Sequence, residues 1–176
     1  MMVDFEVVSL PETDHVEEGE VAPDFRRPLV NEECWTDRSL SELTDESPVL
    51  LVCHPMDGAF PATYLWNELR TRAWTDDYDL RIVGLSISTP YEHASFIEDR
   101  ELPYELFSDP KNTVAVEYDV AHDLDGMAGV DEPRPATFLL DTDRTVQDAW
   151  VASEWPEFPD YDELATAIEE LCAPRS

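Results

Sequence analysis

Lysine is almost missing from this chain of 176 residues: Lys111 is the only one. Arginine brings the basic total to 11 against 41 acidic residues, a formal charge of −30. Binding a phosphate backbone needs clustered Lys and Arg, so the composition argues against nucleic acid as a partner. It argues equally against an anionic membrane surface. Cysteine is sparse too. Cys34, Cys53 and Cys172 lie far apart with no C-x-x-C, which signals neither a dithiol nor a zinc site. An odd, low count suits a reducing cytosol. The first twenty residues have no cationic stretch ahead of an apolar run, so no signal peptide is expected. No run approaches the roughly 18 apolar residues of a membrane span. The expectation is a cytoplasmic protein, long enough for one domain with a proper core.

What is present is a patterned, foldable chain. Hydrophobic residues make up 43% and aromatics 10%, which an acidic disordered chain would lack. Its acidity then suits a folded protein of concentrated salt. At about 1 M salt the Debye length is about 3 Å, so a dense carboxylate surface repels itself little. Abundant Asp and Glu with so little lysine resembles the proteins of halophilic archaea. The alternative is an acidic protein of low-salt origin.

The chain is organised around residues 48–66, PVLLVCHPMDGAFPATYLW. Val49 to Cys53 is an apolar, β-branched run that suits a buried central strand. The pattern breaks at His54-Pro55, turns at Asp57-Gly58, and restarts at Pro61, a residue favoured at the first helical position. The reading is strand, loop, helix, with the loop at the carboxyl end of the strand. Ligands collect at such ends in open α/β sheets.

These residues resemble the active-site segment of the peroxiredoxin (AhpC/TSA, redoxin) family, within the thioredoxin-like superfamily. That family carries an apolar strand, then P-x-x-x-[Thr/Ser]-x-x-Cys opening a helix. Pro55 matches the proline. Ala59 and Ala62 then fall where the Thr/Ser and the cysteine should be. With one residue inserted near Gly58, Phe60 and Thr63 fall there instead. Under either alignment the peroxidatic cysteine is missing.

The resemblance continues from about Gly19 to Leu171. Residues 19–25, GEVAPDF, resemble the opening of redoxin domains, with Phe25 expected in the core. Residues 1–18 are expected to form a loose edge strand, Val3 to Leu10, and a solvated acidic linker; residues 19–176 are the domain. Pro61 to Trp74 reads as a helix with Tyr64, Leu65, Leu69 and Ala73 on its apolar face. Leu80 to Ser88 reads as a buried strand. Thr89 to Glu92 gives a capping box with proline at the first helical position. Residues 102–120 resemble a family segment in which Asp109 caps a helix that Pro110 starts. Ala136–Asp141 and Thr145–Val151 form a hairpin, with Arg144 where the family has a glycine. Asp160 caps a last helix, Glu163 returns the bond, and Tyr161, Leu164, Ile168 and Leu171 share a face. The implied fold is a thioredoxin-like α/β sandwich, a central mixed sheet flanked by helices, with Leu50 and Val52 at its heart and Leu85 and Phe138 on the flanking strands.

Several residues could carry chemistry. Cys53 reads two ways: a small buried hydrophobe, or a displaced nucleophile with His54 as base. Adjacent strand residues point to opposite faces, which makes that pair poor. Arg134 lies beside the position of the family's active-site arginine and would contact an anion or polar ligand; a surface ion pair is the alternative. Pro135 matches the cis-proline of thioredoxins. Thr63 reads as a first-turn residue whose hydroxyl bonds the backbone. His15 and His93 are expected to face solvent, Cys34 to be exposed, and Cys172 to sit at a frayed end. The loop from Asp119 to Gly126 lacks the distal glutamate of a calcium loop, so no metal is expected. No cofactor is implied.

Two functions compete. The resemblance implies an antioxidant thiol oxidoreductase, an active peroxidase using Cys53 or another cysteine. The missing cysteine implies instead a degenerate member that binds a protein or small molecule at a vestigial pocket formed by Pro55, Phe60, Thr63 and Pro135. A homodimer is compatible with either.

Overall fold

The structure, a computed structural model, describes residues 7–124 and 126–175. In chain order the strands are β1 Val8–Ser9, β2 Arg26–Val30, β3 Trp35–Ser39, β4 Val49–Cys53, β5 Arg81–Ser86, β6 Glu105–Ser108, β7 Ala121–His122, β8 Glu132–Pro133, β9 Ala136–Leu140, β10 Val146–Val151 and β11 Glu154–Trp155. The helices are α1 Leu40–Thr44, α2 Phe60–Arg72, α3 Trp74–Asp77, α4 Pro90–Arg100, α5 Thr113–Glu117 and α6 Tyr161–Leu171.

Seven strands make one mixed sheet in the order β10-β9-β4-β5-β6-β2-β3. β4, β5 and β6 run parallel, and β9 is antiparallel to β4. β4 is therefore interior, and its period of two sends side chains into two cores. Val49, Leu51 and Cys53 join Phe25, Phe107, Tyr118 and Phe138 on one face. Leu50 and Val52 join Leu65, Trp66, Phe96 and Ile168 on the other. All five residues of β4 have no exposed area, as expected of an apolar run covered on both sides. Leu85 on β5 and Phe138 on β9 flank it.

Local chemistry explains the joints. Thr89 and Glu92 make both bonds of a capping box at α4. Arg144 adopts φ 63°, the left-handed conformation the hairpin turn demands, and its Nε donates to the Ala22 carbonyl. At α6 Asp160 accepts the N–H groups of Asp162 and Glu163, but the Glu163 side chain returns no bond.

Four expectations need correction. Helix α2 stops at Arg72 because Ala73 turns left-handed, and Tyr64 lies outside the buried face. Pro110 starts a turn closed by Asn112 N–H on the Asp109 carbonyl, and the helix begins at Thr113. The Asp109 carboxylate still accepts Val114 N–H, and it also holds Arg27. Cys172 is buried and closes α6 rather than fraying. Finally, residues 11–18 keep an exposed acidic outer side, as expected, but lie docked on the domain rather than leading freely into it. β1 pairs with β11, Leu10 N–H donates to the Ser153 carbonyl, and Val16 packs on the core. Residues 3–6 of the expected edge strand lie outside the described residues.

Candidate functional site

The loop after β4 is held from below by a buried polar network. His54 N–H still bonds the Leu85 carbonyl, so the ladder continues one residue past Cys53. The alternation then puts the His54 ring on the face opposite Cys53, edge-on against Trp66 at 5.4 Å. Space for both rings comes from Gly84: a Cβ there would lie 2.6 Å from Trp66 and 2.9 Å from His54 Nε2. Beyond, Pro55 is buried, and its carbonyl accepts from Ser86 Oγ. Met56 N–H donates to Glu132 Oε2, and Asp57 N–H donates to Ser88 Oγ. Gly58, at φ 92°, turns the chain toward α2.

The strongest tie is Asp57 to His93. Oδ2 lies 2.6 Å from His93 Nδ1, and both side chains are nearly inaccessible. His93 Nε2 faces the Phe107 carbonyl at 3.1 Å. A carbonyl only accepts, so Nε2 donates to it. The expectation that His93 faces solvent is thus overturned. Sequence did hold a signal: His93, Phe96 and Ile97 fall at i, i+3 and i+4, the spacing of one buried helix face. His15 is also half-buried, edge-on to Phe138. His54 is different in kind. Nδ1 lies 2.9 Å from the Pro55 carbonyl and so carries its proton; Nε2 is buried with no partner. Burial, with some help from His93 and against the pull of Asp57, drives its pKa down to about 4.

The expected catalytic residues lie elsewhere. Cys53 is wholly buried in the other core, and burial pushes its thiol up to about 12. A thiol so placed is unionised and out of reach of solvent in this conformation, which is the core-hydrophobe reading. Arg134 is also buried, but it turns away from the loop. Its Nη1 donates to the carbonyls of Pro11 and Ala152, and it is no surface ion pair. Pro135 stands beside the loop, one residue beyond the Cys53–Ala136 pairing. Its peptide bond is trans, since Trp155–Pro156 is the cis bond among the described residues.

At the start of α2, Ala59 is the N-cap and offers no side-chain bond. Ala62 is buried and Thr63 is half-buried in the first turn. The Thr63 backbone N–H bonds the Ala59 carbonyl; its hydroxyl makes no hydrogen bond among the described residues. Phe60 and Tyr64 stack edge-on at 6.1 Å, with Phe158 a further 6.4 Å from Tyr64. Together with Pro156 and Tyr161 they line an open groove of about 450 Å³. Phe60 and Thr63 thus share a helix start, while Pro55 and Pro135 lie at the sheet end. Cys34 is exposed, as expected. The described residues contain no helix long and apolar enough to cross a membrane.

A strand–loop–helix at the carboxyl end of a parallel pair, in a sheet of this order, defines a thioredoxin-like α/β protein. The chain belongs to the AhpC/TSA family, whose pattern matches residues 19–149. It is 32% identical over 140 residues to a Mycobacterium tuberculosis protein whose name marks it as a candidate peroxiredoxin, covering 78% of this chain and 86% of that one. Chloroplastic peroxiredoxin Q of Gentiana triflora is 29% identical over 138 residues, 75% of this chain and 58% of that one. The crystal structure of peroxidoxin BcpB from Mycobacterium tuberculosis superposes with a TM-score of 0.70 at 29% identity, covering 89% of this chain and 97% of that one.

Proposed function

We propose that this chain is a redoxin-fold protein without peroxidase turnover, which acts by binding a protein or small molecule at the loop end of its sheet. One observation carries the reading: the first turn of α2 holds Ala62 and Thr63, and the nearest thiol in sequence, Cys53, is buried and un-ionised. Peroxide reduction needs a thiolate that meets the oxidant and then cycles through a sulfenic acid. A threonine hydroxyl ionises far less readily and has no such cycle. The loop from Pro55 to Ala59 is tied down by the Asp57–His93 contact, which supports a recognition role, since a surface held in place loses less entropy on binding. The composition supports a halophilic protein of a reducing cytosol, and a homodimer is compatible with it.

The names of the relatives favour a second reading, a peroxidase; in this chain its nucleophile would be a displaced cysteine, Cys53. Peroxide consumption with a dithiol reductant separates the two. We expect turnover at the level of a no-protein control. Ordinary rates in the wild type that vanish in Cys53→Ser would establish the second reading and refute the first.

A further inference from the structure

One cavity is walled largely by residues outside the stretch that the AhpC/TSA pattern matches. It measures about 260 Å³ and is lined by residues 10–13 and His15, by residues 151–153, and by Arg134. Only Arg134 comes from within residues 19–149. The docked N-terminal strap forms one wall, fastened by Leu10 N–H to the Ser153 carbonyl and by Arg134 Nη1 to the Pro11 carbonyl.

Arg134 is 3% exposed, and its Nε has no hydrogen-bond partner. It forms no ion pair among the described residues; its bonds go to two carbonyls. Asp119 is near enough to act on it electrostatically, but the Asp119 carboxylate accepts Asp14 N–H. Arg134 is the buried arginine among the described residues, and no carboxylate bonds it. A buried guanidinium with no carboxylate bonded to it is only partly compensated by Asp119, and an anion from solution would complete the compensation.

We propose that Arg134 and the strap over it form a binding site for a small monocarboxylate with a short apolar chain. The planar guanidinium matches a carboxylate's two oxygens. Leu10, Pro11, Val151 and Ala152 offer an apolar wall to the chain. The volume falls below the range of drug-sized pockets, which limits the ligand to a few carbons. Glu12 in the lining disfavours a second negative charge.

Titration calorimetry of the full chain in molar KCl tests this, with propionate as the probe and propionamide as its neutral counterpart. Saturable binding of propionate, none of propionamide, and a loss of at least tenfold in Arg134→Gln are expected. Should that variant fail to fold, Thr13→Trp fills the cavity and leaves the Arg134 bonds to carbonyls in place. It should abolish binding while the circular dichroism stays native. No saturable binding of propionate overturns the proposal. So does equal binding of propionamide, sulfate binding as tightly as propionate, or full affinity in Thr13→Trp.

Discussion

Withdrawing salt should unfold this protein, and the size of the effect follows from its charge and compactness. A folded chain of this length fills a sphere of roughly 20 Å radius, here carrying −30. Smearing that charge over the surface gives a self-repulsion of roughly 30 kcal/mol at about 0.1 M salt and roughly 12 kcal/mol at about 1 M. The unfolded chain spreads the same charge over a volume nearly three times wider, and its repulsion changes by only about 3 kcal/mol. The gain on adding salt is therefore about 15 kcal/mol for a smeared charge. Ion pairs such as those of Arg38 and Arg81 with Glu46 trim it to on the order of 10 kcal/mol. That equals the whole stability of a typical domain. At about 2–4 °C per kcal/mol for this size, the melting temperature should climb by roughly 20–40 °C between those salt concentrations. Thermal melts followed by circular dichroism in stepped KCl, repeated in NaCl at equal ionic strength, measure it. A shift below about 5 °C would refute both the electrostatic argument and the halophilic reading.

Three further outcomes are expected. His54 is held neutral, with a folded pKa near 4 against 6.5 when free. Its folded pKa is depressed, so its contribution is complete above pH 6.5 and drains away as pH falls toward 4. It amounts to about 3 kcal/mol, seen as the difference in urea stability between wild type and His54→Leu across that window; parallel pH profiles would contradict it. Gly84→Ala forces a Cβ against Trp66 and Leu106 and should lower stability by roughly 1–3 kcal/mol in the same assay, whereas an unchanged midpoint would mean that the close packing is not there. Thr63→Cys puts a thiol in the half-exposed first turn of α2 and should alkylate readily in the native protein, with a pKa below the free value of about 8.5. Ala62→Cys, at a buried position, should label only on unfolding; equal labelling of the two would mean that the helix starts in a different register.

The scaffold was legible in sequence because its signals were local or periodic. Five apolar, β-branched residues ending at His54-Pro55 suit a strand covered on both faces, and Thr89-Pro90-Tyr91-Glu92 writes its own cap. The site was less legible because what holds it is not local. Asp57 reads as a turn residue and His93 as a surface histidine until tertiary packing brings them together across 36 residues. Glu132 likewise looks like one carboxylate among 41, yet it accepts a hydrogen bond from the loop backbone. Arg134 shows the opposite failure. Its neighbours resembled an active-site motif, but a shift of one residue sends it to the other side, where the strap waits. Composition suggests that residues 11–18 face solvent, and their carboxylates do, but it gives no sign that the segment is docked. The bonds that dock them come from backbone atoms, which composition does not record.

The pairing of β4 with β9 has a consequence for synthesis. Val49 meets Leu140, so one edge of the most apolar strand has no partner until some ninety residues later have been made. At about 5–20 residues per second that wait lasts roughly 5–20 s. β5 can cover the other edge early, but the VLLVC edge facing β9 stays open on the nascent chain, the kind of template that recruits strands from other molecules. The residues before β4, Asp37, Glu42, Asp45 and Glu46 among them, leave the ribosome first and carry predominantly negative charge. Neighbouring chains on one message would then repel each other during the seconds in which that edge is bare.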